Sequence, residues 1–130
     1  MLSDDLYQEL KENPDGLKSM DRIQGIACQI VEGVNHLKET GVTHCDLKPE
    51  NIIFTSQERK DIKLIDLGSA CSDAQKGFLY VCSRYYRAPE IVLGQAYGHP
   101  VDMWSIGCIV AELYNGQPIF PAVSQNDLMH

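Results

Sequence analysis

The chain lacks any apolar run near the roughly 18 residues that a membrane-spanning helix requires, and it does not open on a basic segment followed by an apolar stretch. Both absences predict a protein without a secretory or spanning segment, placed inside the cell in the cytoplasm, the nucleus or both. Positive charge is scarce: 11 Lys and Arg against 18 Asp and Glu leave a net charge of -7. That balance argues against a general nucleic-acid surface and against an anionic-membrane surface, so any polyanion must be held locally. Cys28, Cys45, Cys71, Cys82 and Cys108 are odd in number and form no Cys-x-x-Cys pair. Neither a disulfide framework nor a zinc site is expected, and the five read as reduced thiols. Repeats, low-complexity tracts and interdomain linkers are also missing. What remains is an ordinary globular composition, 44% hydrophobic and 22% charged, on 130 residues that allow one domain with a modest core.

Ser3, Asp4 and Asp5 before Leu6, Tyr7 and Leu10 predict a short capped helix closed by Pro14 and Gly16. From Ser19 the apolar residues Ile23, Ile26, Ala27, Ile30, Val34 and Leu37 recur at steps of three and four, with Asp21 in the first turn and Gly41 past the end. That spacing predicts the clearest amphipathic helix of the chain. Ile52 to Phe54 and Ile62 to Ile65 predict a hairpin with a longer polar loop. Residues 67 to 101, rich in Gly and Pro, predict an irregular segment broken by a short helix near Glu90 to Leu93. Asp102 then begins a run apolar on nearly every side, which Gly116 ends and which predicts a buried helix.

Between the amphipathic helix and the first strand lies His44-Cys45-Asp46-Leu47-Lys48-Pro49-Glu50-Asn51. A carboxylate, an ammonium and an amide at this spacing can converge on a reacting phosphoryl group. Asp46 would accept a hydroxyl proton, Lys48 would neutralise phosphate charge, and Asn51 would offer a neutral oxygen to Mg²⁺. Asp66-Leu67-Gly68, beyond the hairpin, supplies a second carboxylate suited to the same ion. A lone Asp-x-Lys is ordinarily a solvated pair worth under about 1 kcal/mol; here the pair sits inside an ordered set.

His44 to Asn51 resembles the catalytic loop of eukaryotic protein kinases, Asp66 to Gly68 their metal-binding triplet, and Ala88-Pro89-Glu90 the motif closing their activation segment. Asp102-Met103-Trp104-Ser105-Ile106-Gly107 resembles the start of the buried helix of the large lobe. Ser83-Arg84-Tyr85-Tyr86-Arg87, the cysteine at position 45 and Met1-Leu2-Ser3 are similar to the dual-specificity tyrosine-regulated kinases of the CMGC group and their homeodomain-interacting and pre-mRNA processing relatives. The resemblance covers the whole chain. It implies an α+β, kinase-like fold, mainly helical, whose short hairpin carries the catalytic and metal-binding loops. It implies a serine/threonine kinase of dual specificity that uses ATP and Mg²⁺, acts on protein substrates and phosphorylates one of its own tyrosines.

By position, the resemblance makes Asp46 the catalytic base, Lys48 the phosphate contact, and Asn51 and Asp66 the metal ligands. Ser83 would hydrogen-bond Asp46 and Lys48. Tyr80 takes the place of the phosphorylated tyrosine, with Arg84 and Arg87 as forked partners for its phosphate, since Cys45 replaces the arginine that many kinases use for that contact. His44, Glu90, Asp102 and Trp104 are structural, with the partner of Glu90 expected beyond residue 130. Leu67 stands where phenylalanine is usual and is expected to pack against His44. Tyrosine in a loop more often packs its ring, Cys45 and Cys82 read as inert thiols, and His36 and His99 as surface residues.

No G-x-G-x-x-G occurs, and no Val-Ala-Ile-Lys type lysine precedes the catalytic loop. Residues 1–130 therefore read as a partial kinase domain, from the hinge to just past the long helix, without the small lobe or the closing helices. Alone, such a chain is expected to be marginally stable and inactive. The alternatives are a truncated, non-catalytic binding module, or a fragment of a longer gene product.

Overall fold

The computed structural model describes residues 4–72 and 81–121. In chain order it forms α1 (Leu6–Glu12), α2 (Met20–Glu39), β1 (Val42–Thr43), β2 (Ile52–Phe54), β3 (Ile62–Leu64), β4 (Cys71–Ser72), α3 (Pro89–Val92) and α4 (Pro100–Asn115). Short 3-10 turns at Pro49–Asn51, Leu67–Ser69 and Arg84–Tyr86 join them. This is the α+β architecture expected.

Helix α1 starts at Leu6 because the Asp5 carboxylate accepts the Gln8 N–H at 2.8 Å. The expected cap, Ser3, lies outside the described residues. Helix α2 is capped by Ser19, whose hydroxyl accepts from Arg22 N at 3.3 Å, and it buries Ile23, Ile26, Ile30 and Val34. Full burial of each such side chain contributes about 1.5–3 kcal/mol. That stripe packs on α4 and β3. Leu6, Leu10, Leu47, Ile52, Phe54, Ile106, Ile109 and Leu113 complete the core.

The hairpin forms as predicted, with Ile52 opposite Leu64 and Phe54 opposite Ile62. Two further pairings were not revealed by local pattern. Asp5 bridges Ile53, which adds the residues before α1 to the hairpin edge. β1 pairs antiparallel with β4, Val42 opposite Ser72 and Thr43 opposite Cys71. Strands of two residues carry no readable alternation, and this pair closes the segment that holds the polar loop at one end and the triplet at the other.

Helix α4 begins two residues before Asp102, because Pro100 fits the first turn, where its missing N–H costs nothing. Among the described residues it is buried on one face, and the other side of the apolar run stays open, as a large lobe without its closing helices implies. Val101, Ser105, Ile106, Cys108, Ile109 and Leu113 are buried, while Met103 and Tyr114 are open. Trp104 lies on the open face too, stacked on Phe120 at 5.7 Å. The described residues supply no second layer over that side. At its end Gly116 turns left-handed (φ 82°) against the loop after α1, where Gly16 (φ 77°) crosses it and Leu17 N donates to Leu113 O at 2.7 Å. A Cβ on either glycine would strike the other strand's backbone, at Tyr114 O or Pro14 O. Among the described residues no helix is long and apolar enough to cross a membrane.

Candidate active site

The polar loop is held from beneath by one buried carboxylate. Asp102, 1% exposed, accepts the backbone N–H of His44 at 2.8 Å and of Cys45 at 3.0 Å. Burial pushes its carboxyl above the usual range, and the two N–H bonds oppose that rise. Cys45 adopts φ 65°, a conformation that side chains seldom take and that persists where neighbouring contacts overdetermine it. The His44 ring joins the loop to the triplet. Its Nδ1 accepts from Asp46 N at 3.3 Å, so the ring proton lies on Nε2, which donates to Ile65 O at 3.0 Å. Both ring nitrogens are engaged in this neutral form.

Above that base four side chains converge. Asp46 Oδ1 accepts from Ser83 N at 3.1 Å and from Ser83 Oγ at 2.8 Å. Lys48 Nζ lies 3.3 Å from Asp46 Oδ2 and donates to Ser83 Oγ at 3.2 Å. The serine hydroxyl thus donates to the carboxylate and accepts from the ammonium, which fixes the carboxylate's rotation. Asn51, buried, spends its amide N–H on the Asp46 carbonyl at 2.8 Å, and its side-chain oxygen is thereby turned away as an acceptor. Its own carbonyl accepts from Ile65 N at 2.9 Å, so Asp66 follows one residue after a direct partner of Asn51. Asp66 is exposed at φ 64°, its carboxylate accepting from Gly68 N at 3.2 Å.

The remaining predicted residues divide. Ser83, Arg84, Arg87 and Lys48 line a cleft of about 740 Å³ with Tyr7, Glu50 and Glu112. Arg87 is used on backbone: its Nε and Nη2 donate to Cys82 O at 3.2 and 2.7 Å, and Nε also to Val81 O at 3.1 Å. Those bonds bend the segment at Cys82, which has φ 69°. Arg84 is exposed, and Tyr80 lies outside the described residues. Glu90 is half-buried in the first turn of α3. Leu67, expected to pack against His44, is 53% exposed. His99, expected at the surface, is half-buried, with Nδ1 2.9 Å from Thr43 Oγ1. Burial pushes the Cys45 thiol up, that of Cys82 to about 12 and that of Cys108 to about 11, as inert thiols require.

Sequence reasoning missed one buried pair at the cleft, Tyr86 Oη donating to Glu112 Oε2 at 2.7 Å. Burial raises both groups above their usual ranges. An acid inside the apolar run Cys108 to Leu113 was the available signal, since a buried carboxylate requires a partner.

Over residues 1–130 the chain matches the family described as protein kinase domain. It is 47% identical over 125 residues to the dual specificity protein kinase YAK1 of Saccharomyces cerevisiae, covering 96% of this chain and 16% of that protein. It is 45% identical over 127 residues to dual specificity tyrosine-phosphorylation-regulated kinase 3 of Homo sapiens, covering 98% of this chain and 22% of that one. To the kinase mbk-2 of Caenorhabditis elegans it is 44% identical, covering 98% of this chain and 16% of the relative. The chain therefore spans 16 to 22% of these curated relatives.

Proposed function

The chain belongs to the protein kinase family, with dual-specificity tyrosine-phosphorylation-regulated kinases among its relatives, and on that premise we propose that the protein transfers the γ-phosphoryl group of ATP to serine and threonine hydroxyls of protein substrates. The observation that carries this reading is the Asp46 carboxylate, aimed by both hydrogen bonds of Ser83 and flanked by Lys48.

Asp46 takes the proton of the attacking hydroxyl at its carboxylate, which Ser83 holds in one rotation. Lys48 places its ammonium where charge on the transferred group needs balance, and Asp102 keeps the loop backbone from shifting under both. The donor set fits Mg²⁺, a hard cation that takes one or two carboxylates and leaves its other positions to phosphate and water. Asn51 Oδ1, freed by the bond of its amide to Asp46 O, and the exposed Asp66 carboxylate would hold it. When bound, the ion screens the phosphate oxygens. Tyr80 is, in this reading, the tyrosine that the kinase phosphorylates on itself; sequence resemblance is its support. The reading assigns residues 1–130 to part of a kinase domain, supported by the lack of any G-x-G-x-x-G among them.

Asp46→Asn in the complete protein removes the base while keeping the side-chain shape. Transfer to a basic protein substrate should fall by about 10²–10⁴-fold. Turnover equal to wild type would exclude Asp46 as the base.

A further inference from the structure

Arg59, in the loop between β2 and β3, holds three carboxylates. Its Nη1 lies 2.6 Å from Glu9 Oε2 and 2.6 Å from Glu12 Oε2, and its Nη2 lies 2.6 Å from Asp4 Oδ2. Glu9 is 2% exposed and turns its other oxygen to Arg22 at 2.7 Å, so the cluster joins the hairpin loop to Asp4, two residues before α1, to α1 itself and to α2. Arg59 takes φ 52°, a backbone state disfavoured for a residue with a side chain. Such a state persists where the surroundings hold it, and here the guanidinium's three partners do so.

Helix α1 is thus seated from behind. Glu9 and Glu12 lie roughly 140 to 200° around the helix from Tyr7, at about 100° per residue. The opposite side of α1 therefore carries Tyr7, which lines the cleft shared with Lys48, Ser83 and Glu50. Lys11 Nζ covers the Tyr7 ring at 5.1 Å. Helix α1 also packs on the Pro49–Asn51 turn, and Phe54 N donates to Asp4 O at 2.8 Å, so the hairpin and α1 meet directly beside the polar loop.

We propose that Arg59 is a positioning residue for the substrate cleft: by gripping Asp4, Glu9 and Glu12 it sets the seat of α1, and through it the place of Tyr7 in the wall that a protein substrate meets. This rests on the kinase reading above. Arg59 touches no reacting atom.

The test compares the complete wild-type protein with Arg59→Gln, Arg59→Lys, Tyr7→Ala and the double variant Arg59→Gln/Tyr7→Ala. The affinity for a labelled basic serine peptide is read by fluorescence anisotropy, beside kcat and the KM values for peptide and ATP. Arg59→Gln should weaken peptide binding about fivefold to tenfold, with kcat and the KM for ATP within about twofold of wild type. The double variant should be no weaker than Tyr7→Ala alone, because Arg59 acts through Tyr7. Unchanged peptide affinity with a lowered melting temperature would reduce Arg59 to a stabilising residue, and effects that multiply in the double variant would overturn the route through Tyr7. Should Arg59→Gln not fold, Arg59→Lys keeps the charge but loses the fork; it should show a smaller weakening, and none would overturn the proposal. A wild type that binds peptide but transfers no phosphate fails the kinase reading alone.

Discussion

Asp102 is an ionisable side chain in a place almost without water, and its stability there depends on the two N–H groups it accepts. Removing it leaves two backbone donors buried without an acceptor, each costing about 1–3 kcal/mol. Asp102→Ala should therefore lower unfolding stability by roughly 2–5 kcal/mol in chemical denaturation. It should also release Cys45 from its left-handed conformation. A loss under about 0.5 kcal/mol, the scale of a surface change, would mean that the loop does not rely on this carboxylate. The sequence marks Asp102 as an acid near a helix start, but its partners lie 58 and 57 residues away. Asp46, Lys48 and Asn51 were legible because they sit within one short motif, whereas the meeting of Asp46 and Lys48 with Ser83, 37 residues from Asp46, was legible through the family resemblance and not through any local pattern.

Elements with a strong local pattern were the legible ones. The α2 stripe, the β2–β3 hairpin and the stop of α4 at Gly116 follow from periodicity and backbone preference. The β1–β4 pair did not, since two-residue strands are specified by the partner that meets them. The crossing of Gly16 and Gly116 is of the same kind: each glycine is explicable as a turn, but its need comes from the other chain segment. Gly116→Ala would combine a disfavoured φ with a collision at the Pro14 carbonyl, neither of which a flexible side chain can relieve. A loss of about 2–4 kcal/mol is expected in thermal or chemical unfolding. Near-neutral behaviour would show that the loop after α1 can move away from α4.

For the whole molecule, charge acts through a few placed pairs. Hydrogen bonds from Arg59 first, then Gln8, hold the exposed Glu12 carboxyl below its usual range. A group whose folded value is lowered adds stability that is present above its unfolded value of about 4.3 and lost as pH falls through the folded one. The stability difference between wild type and Glu12→Gln should be largest near neutrality and vanish in acid, measured by denaturant unfolding across pH. A difference independent of pH would mean that Glu12 acts by packing alone. Asp102 and Glu112, raised by burial, act in the opposite sense: their contribution is present below the unfolded value and lost as pH rises through the folded one.

By itself the sequence determined the helices, the hairpin, the family resemblance and the identity of the loop residues, because each rests on neighbours within a few positions. Tertiary structure decided what those residues can do together. Only it showed that Asp102 anchors the polar loop through the backbone of His44 and Cys45, that Arg87 bonds back to its own segment and that Arg59 grips α1. Buried charges and hydrogen bonds take partners wherever the chain returns in space, and separation along the chain carries no record of that return.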